Sequence, residues 1–147
     1  MRKQILDIKI EMTTPAVSLD AENGAVVMIP FAGYVVESSL FNGIVEPCGV
    51  DTQVVNAAKI RHMSARYMLT GKDAEGNDCH IYIENNGWFD ERGERKPPEP
   101  GTPMFHTVPT FITDSPVLAP YLHQTGRFEG EGWGMEDGLH ILFYEIQ

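Results

Sequence analysis

Asp51 follows the segment Glu46-Pro47-Cys48-Gly49, which reads as a turn. A carboxylate there has two uses. At the rim of a cavity it serves as a general base or holds a substrate hydroxyl, and in a turn it bonds nearby backbone amides. Arg66 and Tyr67 are neighbours in an alternating stretch, so they face opposite sides of a strand. Tyr67 shares its parity with Met63, Ala65 and Leu69 and is the inward one. Its hydroxyl can donate to a carbonyl or act as a weak acid, or belong to an ordinary core tyrosine. Arg66 then lies outside, in an ion pair or a subunit contact; a bulge that flipped the parity would make it a clamp for a substrate carboxylate. Asn85 shares the inward parity of Ile81 and Ile83, and either orients a ligand or satisfies backbone near the strand end. Glu84 takes the opposite parity, with His80 and Tyr82. Thr107 and Phe111 share one face of a later strand, where Phe111 fits a core position better than a ligand-stacking wall. The candidate catalytic set is therefore Asp51, Tyr67 and Asn85, with Arg66, Glu84, Thr107 and Phe111 as candidate ligand-binding residues.

Other chemistries find less support. The five histidines form no His-x-His or His-Glu-x-x-His run. His62 and His80 share a face with Glu84, a weak arrangement for a metal, and no metal or cofactor is expected. No Gly-x-Ser-x-Gly motif and no phosphate-cradling loop ahead of a helix occurs. Cys48 is the one thiol at a plausible reactive position.

These residues need strands to position them, and period two dominates the chain. Leu6, Ile8, Ile10 and Met12 alternate with charged residues. The run Ala25–Val36 carries Pro30 and Gly33, which suits an edge or bulged strand. Short strands are expected at 41–45 and 52–57. The clearest hairpin joins 62–70 to 79–85 through a Gly-containing turn over 71–78. From Trp88 to Pro103 a mixed charge run gives way to four prolines, which predicts a long exposed loop. Asp114-Ser115-Pro116 is a helix start, so one short helix is expected near 115–123. Gly126, Gly130, Gly132 and Gly134 fall at even spacing in a strand-like segment and suggest tight curvature or close backbone approach. The last strand covers 139–146.

The tally is eight to ten strands without βαβ alternation. It predicts an all-β fold, a single closed or nearly closed antiparallel up-and-down barrel spanning 1–147 as one domain. Pairing the first and last strands would remove the barrel's edges. An eight-stranded barrel has room for packed side chains or one small ligand.

Four short patterns, in order, carry a resemblance: Phe41-Asn42-Gly43-Ile44-Val45-Glu46-Pro47-Cys48-Gly49-Val50-Asp51-Thr52-Gln53, Ala65-Arg66-Tyr67-Met68-Leu69, Ile83-Glu84-Asn85-Asn86-Gly87 and Phe105-His106-Thr107-Val108-Pro109-Thr110-Phe111. With Phe128-Glu129-Gly130 and Phe143-Tyr144 they resemble the bacterial and fungal family called domain of unknown function 3237, over about Gly24 to Glu145. The resemblance implies a closed β-barrel with a polar-lined interior and no settled reaction. The family's turn usually reads Pro-Gly-Gly-x-Asp, and this chain has Cys48 at its first glycine. Cysteine tolerates positive φ poorly, which bears on whether this turn keeps the family's backbone conformation.

The 147 residues carry 11 Lys and Arg against 21 Asp and Glu, a net charge of −10. That balance disfavours nucleic acid and anionic membranes as partners. The longest apolar stretch is far short of the roughly 20 residues of a membrane helix. The start has no apolar region of the leader type, and neither cysteine belongs to a Cys-x-x-Cys pair. A cytoplasmic protein with reduced thiols is expected. The expected partner is a small apolar or aromatic molecule in the barrel interior, with a homodimer or larger homo-oligomer as the expected assembly. Two other readings stay open: a cofactor-independent isomerase, lyase or hydrolase, and a structural protein with a filled barrel.

Overall fold

A computed structural model describes residues 1–92 and 99–147. The strands are β1 (Arg2–Met12), β2 (Val17–Ala21), β3 (Gly24–Val35), β4 (Phe41–Val55), β5 (Ile60–Asp73), β6 (Asp78–Asp90), β7 (Phe105–Thr113), β8 (Phe128–Met135) and β9 (Gly138–Ile146), with a four-residue helix α1 (Ala119–Leu122) between β7 and β8. All pair antiparallel with their neighbours in chain order from β2 to β9. β1 closes the ring. Its first part pairs with β9, from Arg2 opposite Ile146 to Lys9 opposite His140, and its last part pairs with β3, from Ile8 opposite Val35 to Met12 opposite Phe31. The result is a closed eight-stranded barrel with β2 as an extra strand on β3. Closure gives each of the eight barrel strands a partner on both sides, although β7 meets β8 only over Phe105–Thr107.

Several expected boundaries move, and the helix expected near 115–123 is confined to Ala119–Leu122. The segment 46–49 is a bulge rather than a turn: the register of β4 on β5 shifts between Val45 and Val50 and the strand continues. Cys48 does not have positive φ, so a cysteine is accommodated there. The hairpin turn shrinks to 74–77, because β5 runs on to Asp73 and β6 starts at Asp78. Asp73 Oδ1 accepts from the backbone N–H groups of Glu75 and Asn77, both at 3.0 Å, and fixes that turn. Trp88–Asp90, expected in the long loop, belong to β6, and the loop's middle, 93–98, lies outside the described residues.

The barrel interior divides in two. At one end Leu6, Ile8, Val45, Leu69, Ile81 and Ile83 fill the centre, and Leu118 and Leu122 of the α1 region are buried against them. Phe111 belongs here. Its ring meets Phe128 and Phe143 edge-on at centroid distances of 5.3 and 5.4 Å, a favoured aromatic geometry. The other end is hollow.

The β1–β9 seam carries a cluster of a buried histidine with two more exposed carboxylates. His140 Nδ1 lies 2.6 Å from Asp7 Oδ1 and its Nε2 lies 2.7 Å from Asp137 Oδ1. Burial alone would lower the imidazole pKa, but the two carboxylates outweigh it and raise it. Neutral imidazole has one N–H and cannot donate to both carboxylates. Stability from this cluster is therefore present below the unfolded value of about 6.5 and is lost as pH rises through the folded value. His140→Gln is expected to cost about 1–2 kcal/mol at pH 6 and less at pH 9. Urea unfolding at the two pH values measures the difference, and an equal loss at both would refute the linkage.

Candidate functional site

The hollow end is a cavity of about 180 Å³. Its apolar wall includes Ile10, Ile29, Phe31, Met63, Leu139 and Ile141, with Phe105 and Met12. Met12 is largely exposed, so the cavity reaches solvent on that side. Five polar side chains enter it: Asp51, Gln53, Tyr67, Asn85 and Thr107. Asp51 is the only charged one among the described residues that line it.

Strand register explains the convergence. Asp51 of β4 stands opposite Ala65 of β5, and Ala65 stands opposite Asn85 of β6. The three form one row, in which only a methyl group separates a carboxylate from an amide. Tyr67 is two residues along β5, on the same face and diagonal to both. Gly49 of the β4 bulge supplies space for it: a Cβ there would lie 3.0 Å from the Phe31 carbonyl oxygen and 3.1 Å from Tyr67 Cβ. The Phe31 and Tyr67 rings consequently meet edge-on at 5.1 Å. Thr107 enters from β7 opposite Gly130 of β8.

Four buried polar atoms have no hydrogen-bond partner among the described residues: Asp51 Oδ1, Tyr67 OH, Asn85 Oδ1 and Thr107 Oγ1. All four belong to side chains of this one cavity. Tyr67, Asn85 and Thr107 are 3%, 4% and 5% exposed, so bulk water does not solvate them. Buried polar groups nearly always find partners, and leaving one unmade costs about 1–3 kcal/mol. Four in one place mark a surface shaped for something other than packing.

The other Asp51 oxygen is held. Gln53 Nε2 donates to Asp51 Oδ2 at 2.8 Å, and Gln53 Oε1 accepts from Arg61 Nη1 at 3.0 Å. Arg61 in turn donates through Nε to Glu91 at 2.6 Å. The guanidinium thus fixes which end of the Gln53 amide faces Asp51, leaving Oδ1 directed to the cavity. Burial pushes the Asp51 carboxyl above its ordinary value, against the Gln53 hydrogen bond and the Arg61 charge. Burial, and then the Asp51 charge, push the Tyr67 hydroxyl upward too, so it stays protonated as a donor.

Because the folded pKa of Asp51 is raised, its favourable contribution exists below the unfolded value and is lost as pH rises through the folded one. Ionised Asp51 therefore costs stability at neutral pH. Asp51→Asn keeps the acceptor for Gln53 and is expected to raise the melting temperature at pH 7 by about 2–4 °C. The gain should vanish below about pH 4. Thermal melts across pH test this, and a variant less stable than the parent at pH 7 counts against it.

The structure brings Asp51, Tyr67, Asn85 and Thr107 together; Arg66, Glu84 and Phe111 it places elsewhere. The β5–β6 register runs from Ile60 opposite Asp90 to Lys72 opposite Asp78 without a shift. No bulge there turns Arg66 inward. Arg66 and Glu84 stand opposite each other on the outer face and pair at 3.0 Å. Phe111 lies in the packed half. Sequence reasoning passed over Gln53, Met63 and Phe105; Gln53 has the parity of Asp51, which was the available signal. Among the described residues no group of three or more His, Cys, Asp and Glu side chains is placed to hold a metal ion.

The family described as Protein of unknown function (DUF3237) matches residues 3–146. The chain belongs to this family. A curated relative, a UPF0311 protein of Clostridium acetobutylicum, is 31% identical over 122 residues, covering 78% of this chain and 75% of that one. A crystal structure of a protein with unknown function from the same organism superposes with a TM-score of 0.72 at 27% identity, covering 100% of this chain and 99% of that one. A beta-barrel like protein from Acinetobacter baumannii gives 0.72 at 20% identity, with 100% and 96% covered. A conserved protein of unknown function from Rhodopseudomonas palustris gives 0.72 at 22% identity, with 100% and 97% covered. The last two speak for the fold alone. Among the described residues no helix is long and apolar enough to cross a membrane.

Proposed function

We propose that this DUF3237 barrel binds a small, largely apolar molecule in its hollow end. The observation that carries this is the gathering of four unpartnered buried polar atoms around one mostly apolar cavity. An apolar wall with a few convergent polar groups is the usual makeup of a small-molecule site. The cavity is on the scale of an engineered cavity of about 150 Å³ that takes up benzene. Native mass spectrometry of freshly purified protein tests the reading. The expected result is a bound small molecule that is released on denaturation. Protein with no bound mass, whose cavity methyl resonances no small aromatic or alicyclic compound shifts, would overturn it.

A second reading has one observation in its favour. Asp51 is a partly buried carboxyl with a raised pKa and one buried, unpartnered oxygen, in the electrostatic reach of a protonated Tyr67. A carboxylate base beside hydroxyl and amide groups suits cofactor-independent proton transfer, as in an isomerase, lyase or hydrolase using Asp51, Tyr67 and Asn85. Turnover separates the two readings: an enzyme converts a bound compound and Asp51→Asn abolishes the conversion, whereas a binding protein releases the compound unchanged.

A further inference from the structure

The unpartnered atoms can be counted by what each requires. Asp51 Oδ1, as a carboxylate oxygen, and Asn85 Oδ1 accept hydrogen bonds only. Tyr67 OH and Thr107 Oγ1 each carry one hydrogen to donate. The site thus asks its occupant for two donors and two acceptors, gathered on one side, with apolar surface elsewhere.

Charged occupants fail this count. A carboxylate supplies acceptors and no donor, leaves Asp51 and Asn85 unmatched, and sets a second negative charge against Asp51 with no cationic side chain among the described residues lining the cavity. An ammonium supplies donors and no acceptor, so the hydrogens of Tyr67 and Thr107 stay buried and unmatched. A plain hydrocarbon matches none of the four. A hydroxyl is donor and acceptor at once, and two hydroxyls meet all four requirements.

Building on the binding role proposed above, we infer that the ligand is a neutral, ring-sized molecule carrying two hydroxyl groups on one edge, seated with those groups toward Asp51, Asn85, Tyr67 and Thr107. The row Asp51–Ala65–Asn85 forms the polar floor, with the small Ala65 leaving space for the ring edge. Phe31 and Ile141 lie on the apolar wall against which the rest of the ring packs. A dihydroxyarene and an alicyclic diol share this chemistry, and the planarity of the site's preferred ligand distinguishes them.

The test is a titration of the full chain, labelled at Ile and Met methyls, with compounds of matched size: toluene, catechol, resorcinol, cyclohexane-1,2-diol, benzoate and benzylamine. At least one dihydroxy compound is expected to bind at least about tenfold more tightly than toluene, benzylamine or benzoate. Tyr67→Phe and Thr107→Val each remove one hydroxyl with little change of shape. Each is expected to weaken the dihydroxy compound about tenfold and to leave toluene unchanged or tighter. Should either variant fail to fold, the other and the parent panel still decide. Toluene equal to the diols, or benzoate or benzylamine as the tightest compound, would overturn the ligand class while leaving the binding site in place. Failure of every compound to shift the Ile10, Met63 and Ile141 methyls would overturn the binding role along with it.

Discussion

Ala65→Phe is expected to abolish binding of small ring compounds, a loss of at least about a hundredfold in affinity, while the barrel stays folded. Ala65 sits between Asp51 and Asn85 in the row that floors the cavity, and its methyl faces the space a ring would take. A benzyl group at this position grows into that space, because both neighbouring strands hold their register there. Overpacking a filled core costs about 1–3 kcal/mol, but this end is hollow, and the added ring gains contact with Phe31, Met63 and Ile141. The melting temperature should therefore stay within a few degrees of the parent's by the scale of about 2–4 °C per kcal/mol. Ligand titration and thermal melts on the same sample check both halves. Unchanged affinity for a ring compound in a folded Ala65→Phe variant would place its binding site outside the cavity.

The convergence behind that prediction was partly legible beforehand. Tyr67 and Asn85 lie in strands whose alternation continues from end to end, so parity alone sends both inward, and the unbroken β5–β6 register keeps it. Asp51 was legible as a residue of interest but not as a strand residue. Pro47 and Gly49 mark both turns and bulges, and the local sequence is the same in either case. What decides is the neighbour: β3 and β5 both continue past the bulge, so β4 has partners on each side beyond it. Arg66 and Glu84 were ambiguous only while a bulge in β5 stayed conceivable. Directly opposed on adjacent strands, they satisfy each other at the surface. Gln53 shows the remaining gap. Its value lies in a hydrogen bond relayed from Arg61, and a relay needs three side chains whose geometry no period reveals. The even-spaced glycines carried a true signal with a hidden meaning. At Gly130 a Cβ would lie 2.4 Å from Thr107 Oγ1, and at Gly132 it would lie 2.1 Å from the Phe105 ring, so both make room for cavity side chains.

Gly71 was the glycine whose sequence context misled, and it supports the largest stability prediction. Next to Lys72-Asp73 it reads as the start of a turn, yet it lies inside β5, directly opposite Gly43 of β4. The two backbones touch. A Cβ on Gly71 would lie 2.0 Å from the Asn42 carbonyl oxygen and 2.6 Å from Gly43 Cα, and one on Gly43 would lie 2.2 Å from the Thr70 carbonyl oxygen. Main-chain atoms cannot rotate aside as a side-chain tip can, so any Cβ forces the strands apart. Separation there would disturb the ladder beside Phe41, Val45 and Leu69, which are 1%, 2% and 0% exposed in the filled half. Gly71→Ala is accordingly expected to cost about 3–4 kcal/mol, a fall of roughly 6–16 °C in melting temperature. Gly76→Ala is the control: it has positive φ, +80°, but nothing within 4 Å of the added carbon. It should cost only about 1–2 kcal/mol for the left-handed backbone. Urea unfolding of the two variants separates steric contact from backbone strain. If Gly71→Ala proves no more costly than Gly76→Ala, the close approach of β4 and β5 is not what holds that end of the barrel together.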